Sequence, residues 1–336
     1  MKEASFYEKL DNLKVKCLLC PHECLINNNE TGICAVRKNY DGILFSLVYG
    51  KTITESIDPI EKKPLYHFMP GTKSFSLATV GCNLTCRHCQ NYEISQMPRD
   101  RKMISGKDMS PEELVTFAKN TSCDSISFTY SEPTIYYEFA HDIAVLSKSR
   151  GLKNIMVTNG YINNKPLEEI APYIDAANID LKSFSDDFYK KICGARLQPV
   201  LDSIKLYKKL GIWIEITTLI IPGLNDKEDE LNKTAEFIAS VGKDIPWHVT
   251  AFYPTYNLLE KSRTSIDHLI KAREIGINAG LKYIFTGNIP GYEGENTYCF
   301  GCKKLLIERT GFKIENNYIK DKSCPDCNTK IDGYFP

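Results

Sequence analysis

The hydrophobic pattern alternates between strand-like runs and helix-like stripes from residue 74 to residue 286. Short runs rich in β-branched and aromatic residues end at turn-forming residues, and apolar positions recur every three or four residues between them. Strands are predicted at 74–80, 125–130, 153–158, 176–181, 212–221, 247–252 and 281–286. This order favours an α/β fold in which helices connect parallel strands. Six βα units and one extra strand are too few for a closed barrel, so we expect an open (β/α)6 partial TIM-like barrel with its active face at the carboxyl ends of the strands.

Helix signals fill the intervals between these strands. Ser110, Pro111 and Glu113 form a capping-box start with proline at the first helical position. Further helices are predicted from apolar stripes at 135–146, near residue 166, and at 201–210, 231–238 and 266–279.

Bulk composition excludes several kinds of partner. Lys plus Arg and Asp plus Glu both number 42 in 336 residues, so the formal net charge is zero. Neither nucleic acid nor an anionic membrane surface is therefore an expected partner. No apolar run reaches about 18 residues, and the N-terminus, MKEASFYEKLDNLKVK, lacks the apolar segment of a signal peptide. We expect a soluble cytoplasmic protein.

The chain has 13 cysteines, and their grouping indicates metal binding rather than disulfides in a long chain with no export signal. Eleven of them fall into three groups: Cys17, Cys20, Cys24 and Cys34; Cys82, Cys86 and Cys89; and Cys299, Cys302, Cys324 and Cys327. Cys123 and Cys193 remain, and both are interpreted as small buried thiols.

The central group follows the first predicted strand with the spacing C-x3-C-x2-C. Three thiolates at this spacing can hold an iron-sulfur cluster and leave one iron without a protein ligand. The alternatives are a zinc knuckle completed by His88 or three unrelated buried thiols.

The two outer groups each offer four thiolates. In the N-terminal group the spacing C-x2-C-x3-C-x9-C fits either a structural zinc site or an auxiliary iron-sulfur cluster, and His22 is interpreted as a bystander. In the C-terminal group two C-x2-C pairs flank a segment that alternates like a short hairpin, which predicts a zinc ribbon. A rubredoxin-like iron is the rival for that site.

The segment GCNLTCRHCQNYEIS resembles the cluster motif of radical S-adenosylmethionine (SAM) enzymes. Together with CPHEC and DPIEKKPLYHF, it is similar to the radical SAM member of the AmmeMemoRadiSam system, which is related to pyruvate formate-lyase activating enzymes. The resemblance covers nearly the whole chain. It implies a [4Fe-4S] cluster at Cys82, Cys86 and Cys89 whose open iron binds SAM, and reductive cleavage of SAM to methionine and a 5'-deoxyadenosyl radical.

The resemblance also implies a set of SAM-binding residues at the ends of successive strands. Glu132 matches the acidic residue of a Gly-Gly-Glu sequence, although Tyr130 and Ser131 replace its glycines. Val157 stands where the activating enzymes have an Asp that helps bind a monovalent cation. The predicted cofactor-binding residues are Glu132, Thr158, Asn159, Asp180, Lys182 and, from an aromatic position after strand six, Tyr253.

For the strand that ends at residues 178–182, a solvated sheet edge is the alternative to a binding role. A barrel-rim aromatic such as Tyr253 is also commonly a packing residue.

Three segments are expected: an N-terminal four-cysteine extension at 1–72, a radical SAM core barrel at 73–290 and a zinc-ribbon-like module at 291–336. The resemblance implies hydrogen abstraction from a substrate, with activation of a glycyl-radical enzyme as the first candidate. The alternatives are radical SAM modification of a peptide or small molecule with Memo-like partners, and, in another class, a non-catalytic zinc-binding adaptor. Expected partners are SAM, an electron donor such as ferredoxin or flavodoxin, and a protein or peptide substrate.

Overall fold

The computed structural model describes residues 1–289 and 293–335. The strands are β1 (Lys2–Glu3), β2 (Tyr7–Lys9), β3 (Val15–Cys17), β4 (Leu25–Ile26), β5 (Arg37–Tyr40), β6 (Ile43–Ser46), β7 (Lys51–Thr52), β8 (Thr54–Pro59), β9 (Lys73–Ala78), β10 (Lys107–Asp108), β11 (Ser125–Phe128), β12 (Lys153–Thr158), β13 (Ala176–Asp180), β14 (Trp213–Ile220), β15 (Trp247–Ala251), β16 (Ile284–Gly287), β17 (Thr297–Tyr298), β18 (Leu305–Thr310) and β19 (Lys313–Asn317). The α-helices are α1 (Tyr92–Ser95), α2 (Met97–Asp100), α3 (Pro111–Asn120), α4 (Tyr137–Ser149), α5 (Asn164–Ile170), α6 (Asp186–Phe188), α7 (Leu197–Lys209), α8 (Glu228–Val241) and α9 (Ile266–Asn278). Short 3-10 turns occupy Ile60–Lys62, Pro133–Tyr136, Ala171–Tyr173 and Glu293–Glu295, and a π-helical turn occupies Tyr189–Cys193.

The central sheet has eight strands in the order β8-β9-β11-β12-β13-β14-β15-β16. Seven of them, β9 and β11 to β16, run parallel and follow one another in chain order, while β8 pairs antiparallel with β9 at one edge. Helices α3, α4, α5, α7, α8 and α9 connect the seven parallel strands. The mostly parallel α/β architecture is therefore confirmed, and each predicted core strand lies within three residues of its observed bounds.

Burial explains why these segments form a parallel sheet. All four residues of β11 are buried, and so are the last five residues of β9. Strands covered on both sides need continuous apolar or small side chains rather than an alternating pattern. Strand β13 pairs with β12 on one side and β14 on the other, so the alternative of a solvated sheet edge is wrong for this strand.

The predicted capping box starts α3. The Ser110 hydroxyl accepts from the Glu113 amide at 3.2 Å, and the Glu113 carboxylate accepts from the Ser110 amide at 2.7 Å. These two bonds satisfy backbone donors that a helix start would otherwise leave free.

The first 52 residues form small antiparallel sheets, β2-β3-β4 and β1-β6-β5, with β7 paired to β10. The predicted extension continues into the core, because β8 supplies the edge strand of the central sheet.

The C-terminal segment is a three-stranded antiparallel sheet in the order β17-β18-β19. Strands β18 and β19 form the hairpin predicted between the two cysteine pairs. Leu306 and Ile307 pack with Tyr66, Tyr283 and Phe285 in one apolar cluster, so this sheet shares a core with the strands beneath it. The predicted boundary at residues 290 and 291 lies outside the described residues.

Within residues 1–289 and 293–335, the helices are all too short or too polar to cross a membrane.

Candidate functional site

The three-cysteine loop, residues 81–89, leaves the carboxyl end of β9. Gly81 begins it with φ +108°, and a Cβ at this position would lie 2.7 Å from Val36 Cγ1. Only glycine fits both the backbone conformation and this close approach. The N-terminal extension therefore packs directly against the start of the loop.

Cys86 is buried, whereas Cys82 and Cys89 are partly buried and have hydrogen-bonding neighbours. Cys82 Sγ accepts from the Leu84 amide at 3.4 Å, and Cys89 Sγ lies 3.1 Å from Ser95 Oγ. Burial, followed by the nearby Glu132 carboxylate and the Cys86 sulfur, raises the pKa of the Cys82 thiol well above its usual value. A bound metal would favour the thiolate form of these groups.

The spacing of the three sulfurs tests which metal group fits. Two sulfurs bound to one zinc at about 2.3 Å can be at most about 4.6 Å apart. The described part of the chain contains two groups of three or more ligand atoms within 4.8 Å of one another, and neither group combines Cys82, Cys86 and Cys89. The loop therefore suits a cluster in which each thiolate binds a different iron.

Cys193 lies beside this loop, and the sequence pattern does not predict this proximity. Its sulfur, the Cys86 sulfur and a ring nitrogen of His88 fall within 4.8 Å of one another, and all three residues are buried. The turn that carries Cys193 is fixed by backbone bonds to the loop, because its carbonyl accepts from the Thr85 amide at 2.8 Å. Burial lowers the pKa of His88 to about 3, so this ring is neutral near neutral pH.

Glu132 joins the ends of the second and third parallel strands. Its carboxylate accepts from Thr158 Oγ1 at 2.7 Å, from the Asn159 amide at 2.8 Å and from the Thr134 amide and hydroxyl at 3.0 and 2.7 Å. The side chain is 2% exposed, and burial raises the pKa of Glu132 although these donors oppose the shift.

Asn159 connects this carboxylate to the three-cysteine loop. Its Nδ2 donates to Asn83 Oδ1 at 2.8 Å and lies 3.7 Å from Cys82 Sγ. Asn83 in turn donates to the Tyr161 carbonyl at 2.8 Å. The structure thus brings Glu132, Thr158 and Asn159 together beside Cys82.

Tyr130 adopts the left-handed backbone conformation with φ +62° at a position where the resembled family has glycine. A non-glycine residue in this region costs free energy unless its surroundings hold it. The Tyr130 hydroxyl donates to Asp58, and the ammonium of Lys63 lies 4.5 Å from the centre of its ring. These contacts account for a tyrosine at this turn.

Asp180, the last residue of β13, and Lys182 form an ion pair of 2.9 Å. Burial opposes the charge of Lys182, but Asp180 and the neighbouring Cys86 and Cys193 sulfurs raise its pKa well above the usual value. Lys182 thus places a positive charge near the three-cysteine loop. Asn178 lies on the same face of the strand, two residues before Asp180. Its side chain donates to the Pro64 carbonyl at 2.8 Å and accepts from Thr217 Oγ1 at 2.9 Å.

Tyr253 makes different contacts. Its hydroxyl donates to the Asn288 carbonyl at 2.9 Å, the Arg263 guanidinium lies 5.1 Å from its ring centre, and the residue is 37% exposed. Its contacts in the described part of the chain do not include the other predicted binding residues.

The two outer cysteine groups differ in geometry. The C-terminal sulfurs of Cys299, Cys302, Cys324 and Cys327 lie within 4.8 Å of one another. Cys299 pairs with Cys327 and Cys302 with Cys324, both at 3.6 Å. The N-terminal cysteines instead line one pocket, together with His22 and Asn83.

Residues 76–238 match the family described as the radical SAM superfamily. The uncharacterized protein MJ0808 of Methanocaldococcus jannaschii is 49% identical over 335 residues, covering 99% of each chain. The pyruvate formate-lyase-activating enzyme of Clostridium pasteurianum is 29% identical over 167 residues, covering 48% of this chain and 67% of that enzyme. A radical SAM methyltransferase from Sphaerobacter thermophilus has a similar fold, with TM-score 0.51 and 14% identity over 66% of this chain and 67% of that one.

In open α/β sheets, ligands bind at the carboxyl ends of the parallel strands, and the three-cysteine loop and the polar side chains lie at this edge of the sheet. The chain belongs to the radical SAM superfamily and has homologues named pyruvate formate-lyase activating enzyme.

Two residues of the site were missed by sequence reasoning, Asn83 and Cys193. Asn83 could have been suspected, because it directly follows the first cysteine of the loop. Cys193 carries no local signal, because its role depends on a contact between segments about 107 positions apart.

Proposed function

We propose that this protein binds a [4Fe-4S] cluster through Cys82, Cys86 and Cys89 and cleaves SAM reductively to start a hydrogen abstraction. The single observation that carries the proposal is the placement of Asn159 between the Cys82 sulfur and the Glu132 carboxylate at the carboxyl edge of the sheet. When bound, such a cluster with one open iron supplies the electron that divides SAM into methionine and a 5'-deoxyadenosyl radical.

The residues around the loop have distinct parts in this proposal. Glu132 holds the ends of β11 and β12 in register and presents a carboxylate for the SAM ammonium. Thr158 and Asn159 offer polar groups at the same rim, while Asp180 and Lys182 supply a charged pair beside Cys86. We propose that the central sheet curves into an open barrel. This curvature would place Glu132, Asn159 and the Asp180–Lys182 pair around one cavity.

The substrate is proposed from the relatives. Homologues named pyruvate formate-lyase activating enzyme make a glycine Cα of a protein partner the first candidate hydrogen donor. Modification of a peptide or small molecule with Memo-like companions is the second candidate. We further propose ferredoxin or flavodoxin as electron donor and the cytoplasm as location.

The C-terminal group is proposed to hold zinc. In the alternative function, a non-catalytic adaptor, the cysteine groups would bind zinc only and would carry out no reaction. Its 3.6 Å sulfur pairs match the separation of about 3.8 Å expected for thiolates around one tetrahedral zinc. The polar rim at Glu132 and Asn159 favours the enzyme over the adaptor, since an adaptor needs no buried carboxylate beside a metal loop.

Anaerobic reconstitution tests the proposal. The chain, supplied with iron, sulfide, SAM and dithionite, should release 5'-deoxyadenosine and methionine. Incubation with deuterium-labelled candidate partners should transfer deuterium into 5'-deoxyadenosine, as read by mass spectrometry. Bound zinc with no iron, and no SAM cleavage, would support the adaptor instead.

A further inference from the structure

Four cysteines of the N-terminal extension line one pocket. Cys17 ends β3, Cys20 and Cys24 lie in the following loop, and Cys34 belongs to the turn before β5. Apolar side chains complete the wall of this pocket: Leu19, Ile26 and Ile135. The four thiols lie within an 18-residue stretch of the chain, and the fold places them around one enclosed space.

The spacing of these thiols differs from that of a zinc site. The distance between two sulfurs bound to one zinc cannot exceed about 4.6 Å, which is twice the Zn–S bond length of about 2.3 Å. In the described part of the chain, all four sulfurs of the C-terminal group lie within 4.8 Å of one another. No three ligand atoms of the N-terminal pocket lie that close together. The N-terminal pocket shares this wider spacing with the three-cysteine loop. A [4Fe-4S] cluster requires wider spacing, because each thiolate binds a different iron.

The pocket also shows features of a built site. A Cβ at Gly32 would lie 3.4 Å from Cys24 Sγ, so a larger residue would enter the space beside this sulfur. The Ile33 amide donates to Cys24 Sγ at 3.5 Å. Arg37 lines the pocket, is 1% exposed, and has a buried Nε that lacks a hydrogen-bond partner among the described residues. A buried donor without a partner is costly, and an inorganic sulfide or thiolate could accept its hydrogen bond.

We propose that Cys17, Cys20, Cys24 and Cys34 bind a second [4Fe-4S] cluster with all four irons ligated by the protein. This cluster has no open iron, so it does not bind SAM. The assignment goes beyond the proposed SAM chemistry and is independent of it, since it concerns a different set of ligands.

The second cluster would lie next to the first. Asn83, which follows Cys82, lines the N-terminal pocket, and its carbonyl is 2.8 Å from His22 Nε2. Arg99 donates to both the Ile33 and Cys82 carbonyls, at 2.9 and 3.1 Å. Residues next to the two sets of thiols are therefore in direct contact, so the unpaired electrons of two reduced clusters should interact.

Two multiple variants of the full chain separate the sites. The triple variant Cys82→Ala, Cys86→Ala, Cys89→Ala should keep about four irons and four sulfides after anaerobic reconstitution, with a Mössbauer spectrum of a [4Fe-4S] cluster. Its reduced electron paramagnetic resonance signal should be unchanged by SAM. The quadruple variant Cys17→Ser, Cys20→Ser, Cys24→Ser, Cys34→Ser should also keep about four irons, and its signal should respond to SAM.

The wild type should hold about eight irons, and its reduced signal should be broadened relative to either variant. Cys123→Ser is the matched control, because Cys123 is a buried thiol whose described contact is with Thr121 rather than with either pocket. It should keep the wild-type iron content.

Different outcomes overturn different claims. A triple variant that holds zinc but no iron would overturn the second cluster and leave the SAM cluster intact. A quadruple variant that folds but lacks iron would overturn the SAM cluster instead. If the quadruple variant precipitates, the triple variant still decides the question, because it leaves the N-terminal pocket unaltered.

Discussion

At the residue scale, Cys86 and Cys193 provide a matched pair of neighbouring buried thiols. Cys86→Ala should remove the visible absorbance of the [4Fe-4S] cluster of the three-cysteine loop, because its thiolate is proposed to hold one iron. Cys193→Ala should leave the iron content unchanged, since the three-cysteine spacing already supplies the ligands. Iron analysis after reconstitution checks both. Loss of iron in Cys193→Ala would make Cys193 a ligand and change the assignment of the motif.

Glu132 is expected to serve both the fold and SAM affinity. In the wild type the Asn159 backbone N–H donates to the Glu132 carboxylate at 2.8 Å. Glu132→Gln replaces one carboxylate oxygen by an NH2 group, which cannot accept such a bond. A charge-assisted bond of about 1.5 to 3 kcal/mol is lost, so SAM affinity should fall by about tenfold to a hundredfold. Titration of the reduced cluster's electron paramagnetic resonance signal with SAM measures this.

The control for that experiment is Glu93→Gln, which removes the same charge from an exposed residue of α1. Its SAM dissociation constant should equal that of the wild type. Iron content should be normal in both variants, because neither residue is a ligand. Equal dissociation constants for Glu132→Gln and the wild type would mean that this carboxylate only holds the strand ends together.

At the element scale, the zinc proposal predicts that the C-terminal sheet depends on its metal. Cys324→Ser should lose about one zinc per chain and unfold the β17–β19 sheet, because metal binding and folding are coupled in small zinc modules. The effect should reach the core, since Arg309 of β18 donates to the Tyr66 carbonyl at 2.9 Å. Zinc analysis and thermal denaturation measure the two effects.

Cys123→Ser again serves as the control and should retain its zinc. The three-cysteine loop should still load its cluster in Cys324→Ser, because the ribbon thiols are separate from it. An unchanged zinc content in Cys324→Ser would contradict the proposed ribbon site.

Secondary structure was predictable where local chemistry decides it. The strand at Lys153–Thr158 was located to the residue, and the Ser110 capping box fixed the start of α3, because both signals lie within a few positions. The π-helical turn that brings Cys193 to Cys86 was not predictable. Its geometry depends on bonds from a loop about 100 residues earlier, such as that from the Thr85 amide to the Cys193 carbonyl.

At the scale of the whole molecule, the sequence indicated the order of the central sheet but not how the two ends of the chain close around it. The parallel order follows from alternating elements and their chain order. The pairing of Phe68 with Tyr334 and the ion pair of Lys282 with Asp332 at 2.8 Å join segments with no shared pattern. Both contacts arise from tertiary packing, which the hydrophobic periodicity of the sequence does not predict.

His67 lies at this junction and is neutral in the folded protein. Its Nδ1 is 2.7 Å from the Asp332 carbonyl, which can only accept, so Nδ1 carries the proton. The other ring nitrogen is then an acceptor, and the Thr297 hydroxyl lies 3.4 Å from it. Burial lowers the pKa of His67 to about 4.

Because the folded pKa is below the unfolded value of about 6.5, this histidine contributes its full stability above pH 6.5 and loses it as the pH falls toward 4. The loss is about 1.4 kcal/mol per pH unit, or about 2 kcal/mol between pH 6.5 and pH 5. The protein should therefore become less stable in this interval.

His67→Asn tests this contribution, because the Asn amide can still donate to the Asp332 carbonyl but does not titrate. The variant should be less stable than the wild type at pH 7, since the ring packs 4.2 Å from the Tyr283 ring, centre to centre. Between pH 6.5 and pH 5 its free energy of unfolding should fall by about 2 kcal/mol less than that of the wild type. Denaturant midpoints at the two pH values measure this, and thiolate protonation at the metal sites affects both proteins alike. An equal fall in both proteins would show that His67 does not link the C-terminal segment to the pH dependence of the fold.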